Sequence, residues 1–325
     1  MRRKQMIISV VALAAMLLVL TGCAALGIGG GGTDAEFPSQ QINMMVNFGA
    51  GGGTDLTSRA LAAAAETILG VPIVVTNVTG GGGSVAVAEL ALQPTDGYHI
   101  GVVTMSPLAI HPWVMPDVID FTIDDFDFIL AHAQFGYGLV VGNHTPFYTV
   151  DDLIEYALAA GQMNFGSTGF PQPFAMYAIN DSRGTNFVNV NYAETAALVT
   201  DLLGGFLDVA LIDQATFAPH IAAGSIRLLA SASDSRWDSE PHIPTLYELG
   251  FGEGTALLSF MGIAAPAGID PGHLQILRDA FSQAHQSDEF QAVVAANNLI
   301  ATYLTGPEYA RVAREHLEMY AFLAD

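Results

Sequence analysis

Short apolar runs typical of strands alternate with helix-like stretches from Gln41 onward. In the first part of the chain the strand-like runs are residues 42–48, 71–78 and 99–104, and the helix-like segments between them are residues 56–69 and 84–92. Strands that alternate with helices of this length indicate βαβ units and a parallel sheet.

The same alternation resumes near residue 126 and continues toward the C-terminus. The later elements are strands at residues 126–133, 138–142, 163–167, 187–192, 207–213 and 226–232, and helices at 150–160 and 194–203. Residues 272–325 look mostly helical, with Gly306 and Pro307 interrupting the pattern. Because 325 residues exceed what one small core needs, we predict two α/β lobes without a long disordered linker.

The N-terminus has the pattern of an export signal. MRRKQ is basic, residues 7–20 are apolar, and the stretch LTGC ends at Cys23, the only cysteine. The apolar run is short for a membrane span, so a signal peptide is the better interpretation. LTGC resembles the bacterial lipobox, which predicts a lipidated Cys23; an idle cysteine after an ordinary signal peptide is the alternative. We assign residues 1–23 to a lipoprotein signal peptide and residues 24–36 to a flexible, glycine-rich tether, in an extracytoplasmic protein.

Charge excludes one class of partner. Three of the ten basic residues (Arg2, Arg3 and Lys4) lie in the signal, which leaves seven arginines and no lysine against 32 acidic residues. Nucleic-acid binding requires a basic face, so we exclude it. A single cysteine also leaves no disulfide framework.

Three glycine-rich turns share one design. GAGGGTD (residues 49–55) and GGGGS (80–84) lie between a strand and a helix, and GSTG (166–169) follows a third strand. Glycine allows close approach of the backbone, and a helix N-terminus offers unpaired N–H groups with partial positive charge. A carboxylate or phosphate held in this way needs no lysine, although each turn could also be purely structural. We expect Asp55 in the first helical turn with Arg59 as its i,i+4 partner.

The spacing of the glycines excludes the common phosphate-binding loops. A dinucleotide fingerprint requires G-x-G-x-x-G or a closing alanine, but Thr54 or Leu56 occupies the last position. A nucleoside-triphosphate loop requires G-K-[ST], and no lysine is present to supply it.

Catalytic and metal-binding patterns are missing as well. None of the nine histidines forms an HExxH or HxxxH pair. Ser84 and Ser167 lack the GxSxG frame, because Ala86 and Phe165 occupy required glycine positions. We therefore expect no enzyme activity, no metal and no cofactor, although an enzyme with an unfamiliar site remains an alternative.

From about Gln41 to the C-terminus the sequence resembles the extracytoplasmic solute receptors of tripartite tricarboxylate transporters, the TctC/Bug-type substrate-binding proteins. The resemblance rests on eight ordered blocks: FGAGGGTDLTSR, NVTGGGGSVAVAEL, PTDGYHI, MNFGSTG, VNYAETAALVTDLLGGFLDVALID, AAGSIRLLA, IPTLYELGF and MGIAAPAGID.

The resemblance implies a type II periplasmic-binding-protein fold, in which two α/β lobes joined by crossover strands close over a ligand. Residues 37–140 and 259–325 would form lobe 1, and residues 141–258 lobe 2. In such receptors backbone N–H groups and bridging water hold a carboxylate between turns of both lobes. The contacts carried over by position are Phe48, Gly49, Ala50, Gly51, Gly52, Thr54, Asn77, Gly81, Gly82, Gly83, Ser167, Thr168, Gly169, Tyr192 and Asp213.

Three positions depart from the family pattern. Ala50 replaces a usual proline, Ala193 and Glu194 replace a lysine-glycine pair, and a common histidine is replaced near Ala175. These changes remove positive charge, so a monocarboxylate, an aromatic acid or a nearly neutral molecule is as plausible a ligand as citrate.

The predicted function is that of a lipid-anchored, monomeric receptor. It would capture a small organic acid and deliver it to integral membrane transporter subunits. A ligand-sensing subunit for signalling and a secreted enzyme on the same fold are the alternatives.

Overall fold

Two mixed β-sheets, each flanked by helices, form the described part of the molecule. The computed structural model describes residues 37–192, 195–237, 239–257 and 259–324. The signal peptide, Cys23, the tether at residues 24–36, Ala193 and Glu194 lie outside these residues. Gln40–Asp325 constitute one compact unit. Within the described ranges no helix has both the length and the apolar character needed to span a membrane.

The described residues contain eleven strands, which form two sheets. They are β1 (Ile42–Val46), β2 (Ile73–Asn77), β3 (His99–Thr104), β4 (Phe126–Phe135), β5 (Tyr137–Gly142), β6 (Met163–Ser167), β7 (Phe187–Asn191), β8 (Val209–Asp213), β9 (Ile226–Ser231), β10 (Ser259–Pro266) and β11 (Ile300–Thr305). The first sheet has the order β11-β4-β10-β3-β1-β2, and the second has the order β7-β6-β8-β5-β9.

The α-helices connect and cover these strands. Those in the described residues are Gly53–Leu69, Ser84–Ala91, His111–Val114, Val150–Ala160, Pro173–Arg183, Thr195–Gly204, Gln214–Ala222, Pro271–His285, Asp288–Ala296 and Gly306–Met319. Helices on both faces bury the strands, which explains why β10 is buried at all eight positions.

The chain passes between the sheets twice. It leaves the first sheet at Gly136, between β4 and β5, and returns between β9 and β10. Gly136 is tightly enclosed, since a Cβ there would lie 3.0 Å from the Trp237 ring. All of β5 pairs with β8 and β9, so residues 137–140, which we predicted in lobe 1, belong to the second sheet by pairing. The lobe limits themselves stay a prediction.

The strand-helix alternation is confirmed, and each sheet contains the predicted parallel pairing together with antiparallel strands. β1, β2 and β3 pair in parallel, as do β6, β7 and β8. The strands next to the two crossings, β4, β5, β9 and β10, pair antiparallel with their neighbours, because the chain reverses where it changes sheets.

The C-terminal region also differs from the prediction. Residues 300–305, predicted as part of a mostly helical region, form the edge strand β11, in which burial alternates from residue to residue. Gly306 and Pro307 do not interrupt a helix but begin one, with Thr305 and Glu308 forming a capping box. Proline is well suited to the first helical turn, where its missing N–H costs nothing.

One buried histidine has no hydrogen-bond partner on either ring nitrogen. His132 on β4 is fully buried, and neither Nδ1 nor Nε2 is hydrogen-bonded. Its ring packs against Phe290, and His285 Nε2 donates to the backbone oxygen of His132 at 3.0 Å. Burial, with a smaller contribution from the charge of His285, lowers the pKa of His132 to about 3.

We therefore predict that His132→Leu reduces the acid sensitivity of the fold. Between about pH 6.5 and pH 3 this histidine is protonated in the unfolded chain but neutral in the folded protein. The free energy of unfolding therefore falls by up to about 1.4 kcal/mol for each pH unit of acidification. Urea unfolding at pH 7, 6 and 5 should show a weaker pH dependence in His132→Leu, with the difference in slope rising from about a quarter of a proton at pH 7 to nearly one proton at pH 5. His242→Gln, at an exposed position, is the control. An unchanged slope in His132→Leu would contradict this origin of acid sensitivity.

Candidate ligand-binding site

A cavity of about 280 Å³ lies where elements of the two sheets meet. The described residues around it come from strand ends, helix starts and both crossings between the sheets. They are Phe48, Thr54, Thr104, Ser106, Phe135, Tyr137, Thr168, Phe170, Gln172, Thr195, Asp213 and Ser259. A cavity of this size suits a small ligand.

Among the described residues, the wall combines hydroxyl groups with aromatic rings and contains one acidic residue, Asp213. None of the arginines or histidines in the described residues lines it, and the sequence contains no lysine after Lys4. The arginines contact other partners instead; for example, Arg278 donates to the backbone oxygen of Phe128, and Arg311 pairs with Glu315. An anion in this cavity would therefore be held by neutral donors.

The first glycine turn leads into helix Gly53–Leu69. The first backbone N–H groups of a helix have no intrahelical partner, and Gly52, the N-cap, has no side chain to cap them. Thr54, in this turn, lines the cavity. Uncapped N–H groups and the helix dipole make this end of the helix suited to an anion.

The side chain of Asp55 stabilises the first glycine turn through hydrogen bonds. Its carboxylate accepts hydrogen bonds from the Gly51 backbone N–H at 2.9 Å, from Arg59 Nε at 2.8 Å and from Asn77 Nδ2 at 2.8 Å. Asn77 also donates to the backbone oxygen of Phe48 at 2.8 Å, and its own oxygen accepts from Arg59. The predicted pairing of Asp55 with Arg59 is confirmed.

Electrostatics keep this carboxylate ionised. Burial alone would raise the pKa of Asp55, but the bonds from Gly51 and Asn77 and the charge of Arg59 together lower it. The Gly51 N–H and the Asn77 amide, which we predicted to contact ligand, are engaged by Asp55 and Phe48. Their geometry supports the turn rather than the cavity.

The second glycine turn is built on left-handed backbone. Gly80, Gly81, Gly82 and Gly83 all have positive φ, a conformation that favours glycine. The turn also packs closely: a Cβ on Gly82 would lie 2.7 Å from the His111 ring. A Cβ on Gly83 would lie 3.3 Å from Phe48 Cζ, and the predicted contacts Gly81–Gly83 are not among the lining residues.

His111 is buried beneath the second turn. Its Nδ1 lies 2.7 Å from the hydroxyl oxygen of Ser84, the first residue of helix Ser84–Ala91. Burial lowers the pKa of His111 to about 4, so the imidazole is neutral at pH 7 and supplies no positive charge.

The third turn follows β6. Ser167 is fully buried and donates to Asn189 Oδ1 at 2.8 Å, whereas Thr168 faces the cavity and accepts from Gln172 Nε2 at 3.0 Å. Gly169 has a φ of +127°, with open space where a Cβ would lie. Of this predicted triplet, Thr168 is the residue on the wall.

Tyr192 and Asp213 complete the predicted set from the second sheet. The Tyr192 hydroxyl donates to Asp201 at 2.8 Å, and burial together with this bond raises its pKa. Asp213 ends β8, lines the cavity and caps helix Gln214–Ala222 by accepting from the backbone N–H and the hydroxyl of Thr216.

We predict that Tyr192→Phe changes carboxylate affinity by less than about twofold, because its hydroxyl is engaged by Asp201. The matched hydroxyl deletion at the wall, Thr104→Val, should weaken binding by about tenfold, the value of a hydrogen bond to a charged group. Calorimetric titration of both variants measures the difference. A tenfold loss in Tyr192→Phe would instead make that hydroxyl a ligand contact.

The structure brings four predicted site residues to the cavity: Phe48, Thr54, Thr168 and Asp213. The other predicted positions in the described residues are not among those that line it; they are Gly49, Ala50, Gly51, Gly52, Asn77, Gly81, Gly82, Gly83, Ser167, Gly169 and Tyr192. Whether any of these residues binds ligand stays a prediction.

Sequence reasoning missed the remaining lining residues. These are Thr104, Ser106, Phe135, Tyr137, Phe170, Gln172, Thr195 and Ser259. A usable signal existed for Thr104, since it ends a predicted strand and ligands gather at the carboxyl ends of parallel strands. Phe135, Tyr137 and Ser259 flank the crossings, and no local motif marks them.

Metal coordination finds no support in the described ranges, where no group of three or more His, Cys, Asp or Glu side chains is placed to hold an ion.

Comparison with solved structures agrees with this architecture. The R. palustris protein Rpa4515 with adipate superposes with a TM-score of 0.77 at 24% identity, covering 89% of this chain and 97% of that one. The fold is therefore the predicted type II periplasmic-binding-protein fold.

Relatives found by sequence also align over most of this chain. A UPF0065 protein in the gbd 5' region of Cupriavidus necator is 31% identical over 303 residues, 91% of each chain. Protein BugT of Bordetella pertussis is 30% identical over 273 residues, 82% of this chain and 83% of the relative. Residues 57–323 match the family described as the tripartite tricarboxylate transporter family receptor. The chain belongs to this family of periplasmic solute-binding receptors.

Proposed function

We propose that this receptor captures a small organic carboxylate in the cavity between its two sheets and delivers it to the membrane subunits of a tripartite secondary transporter. The observation that carries the proposal is a cavity lined by hydroxyl groups, into which the starts of two helices, at Thr54 and Thr195, open. Binding would occur without covalent chemistry.

The carboxylate would be held without a cation. Helix N-termini stabilise anions through free N–H groups and the aligned peptide dipoles. The wall hydroxyls supply further donors, and Phe48, Phe135 and Phe170 provide apolar surface for the body of the ligand. The adipate bound to Rpa4515 supports a carboxylate as ligand class.

The location follows from the sequence pattern at the N-terminus. We propose that Cys23 is lipidated and holds the receptor at the outer face of a membrane, with residues 24–36 as the tether. Metabolic labelling with a fatty acid, compared between the natural chain and Cys23→Ser, tests this step; equal labelling of both would contradict it.

Binding itself is tested by a thermal-shift screen of mono- and dicarboxylates, followed by calorimetric titration. The expected result is a raised Tm and a 1:1 isotherm for at least one small organic acid. Binding of an uncharged solute, with no carboxylate bound, would contradict the proposed ligand class. Continuous turnover of a bound compound would contradict a transport receptor.

A further inference from the structure

Some hydroxyl groups of the cavity wall accept hydrogen bonds from neighbouring side chains, whereas Ser106 and Tyr137 donate theirs, to the backbone oxygen of Phe170 at 3.4 Å and to Ser259 Oγ at 3.3 Å. Thr104 Oγ1 accepts a hydrogen bond from Asn47 Nδ2 at 3.0 Å. Ser259 Oγ accepts from the Tyr137 hydroxyl at 3.3 Å. Because a hydroxyl has one proton to donate, each oxygen that accepts from the protein keeps its own proton for a partner in the cavity.

Thr168 follows the same pattern through its neighbour on the third turn. Its Oγ1 accepts from Gln172 Nε2 at 3.0 Å, and the bond in which it donates to Gln172 Oε1 is longer, at 3.4 Å. Three hydroxyl donors, contributed by both sheets and by the second crossing, thus face the cavity. The donor side of the cavity suits the oxygens of a carboxylate.

Asp213 differs from these hydroxyl groups because its carboxylate has no proton to donate. It is the one acidic residue among the described wall residues, and a carboxylate can only accept hydrogen bonds. Each of its two oxygens accepts one bond from Thr216, at 2.9 Å, and a carboxylate oxygen has room for two. One accepting position on each oxygen therefore remains for a donor in the cavity.

A second carboxylate on the ligand would meet this charge. No arginine or histidine of the described residues lines the cavity to neutralise the pair. Two carboxylates within a partly enclosed site repel each other strongly unless one is protonated. A hydroxyl or an ammonium group in the same place would instead fill the free accepting positions of Asp213.

We infer that the natural ligand is a monocarboxylate with a hydrogen-bond donor at its other end, a hydroxy acid or an amino acid, whose donor faces Asp213. This inference rests on the proposed function and narrows the ligand class within it. Asp213 selects the ligand by its charge, and the three donor hydroxyls orient the carboxylate away from it.

The test is a calorimetric comparison of matched carboxylates of three to ten carbons. Each dicarboxylate, such as glutarate, is paired with analogues whose second carboxylate is replaced by an ammonium or hydroxyl group, such as 4-aminobutyrate and 4-hydroxybutyrate. The tightest binder should carry the donor and should exceed its dicarboxylate partner by about tenfold or more. A dicarboxylate as the tightest binder would overturn the inference and leave the proposed function standing. Binding by no carboxylate in the panel would overturn both.

Asp213→Asn supplies the second arm. Asparagine caps a helix about as well as aspartate, so helix Gln214–Ala222 is kept while the charge is removed. This variant should lose the preference for the donor-carrying analogue. Asp208→Asn, an equal change of net charge at a half-exposed position beside His144, should retain it. An unchanged preference in Asp213→Asn, with a normal Tm, would overturn the role of Asp213.

Discussion

Replacing Gly83 by alanine is expected to weaken carboxylate binding by about tenfold and to cost about 1–3 kcal/mol of stability. A Cβ at this position would lie 2.7 Å from Asn47 Nδ2 and 3.3 Å from Phe48 Cζ. Asn47 must then move, and Thr104 loses the donor that orients its hydroxyl toward the cavity. Phe48, part of the wall, is displaced at the same time.

Gly70→Ala is the matched control for this variant. Gly70 also has positive φ, as the C-cap of helix Gly53–Leu69, but a Cβ there would meet open space. The control should lose about 1–2 kcal/mol of stability through the left-handed backbone alone and keep wild-type affinity. Urea unfolding and calorimetry separate the two effects. Equal affinity of both variants and the wild type would show that packing of the second turn does not shape the site.

Replacing Asp55 by alanine should cost about 2–4 kcal/mol of unfolding free energy and weaken carboxylate binding. Three donors lose their acceptor at once: the Gly51 N–H, Arg59 Nε and Asn77 Nδ2. We place the cost below that of breaking a fully buried ion pair, since Arg59 is about half exposed and water can solvate it. The loosened turn no longer holds the first residues of helix Gly53–Leu69 at the cavity.

The pH dependence of this effect follows from the lowered pKa of Asp55. A carboxyl group whose folded pKa is depressed contributes stability above its unfolded pKa, near 3.8, and loses it as pH falls through the lower folded value. The difference between wild type and Asp55→Ala should therefore stay constant from pH 5 to 7.

Glu315→Ala is the control for Asp55→Ala. Glu315 pairs with Arg311 in an exposed i,i+4 arrangement of the same kind as Asp55 with Arg59. It should cost at most about 0.5 kcal/mol. A similar small cost for Asp55→Ala would contradict its role in holding the turn.

Local patterns were sufficient to predict the strand-helix alternation and the three turns. A glycine turn at a strand end, such as residues 80–84, is visible because its conformation is decided by the residues themselves. The pairing of Asp55 with Arg59 was predictable for the same reason, since i,i+4 neighbours on a helix always meet.

Features that depend on distant pairing were not predictable. Tyr137 and Ser259 are 122 positions apart and meet only because both crossings between the sheets run side by side. Likewise, β11 becomes a strand through pairing with β4, although its sequence sits between two helices. Donor direction at Thr104 depends on Asn47, 57 positions earlier, so no motif could reveal it.

A crystal structure with the tightest-binding carboxylate tests the central claim most directly. We expect the carboxylate oxygens inside the cavity, about 3 Å from backbone N–H groups at Thr54 or Thr195 and from the Thr104, Thr168 or Ser259 hydroxyls. A carboxylate paired with an arginine side chain, or bound outside this cavity, would contradict the claim that neutral donors between the two sheets bind the ligand without a cation.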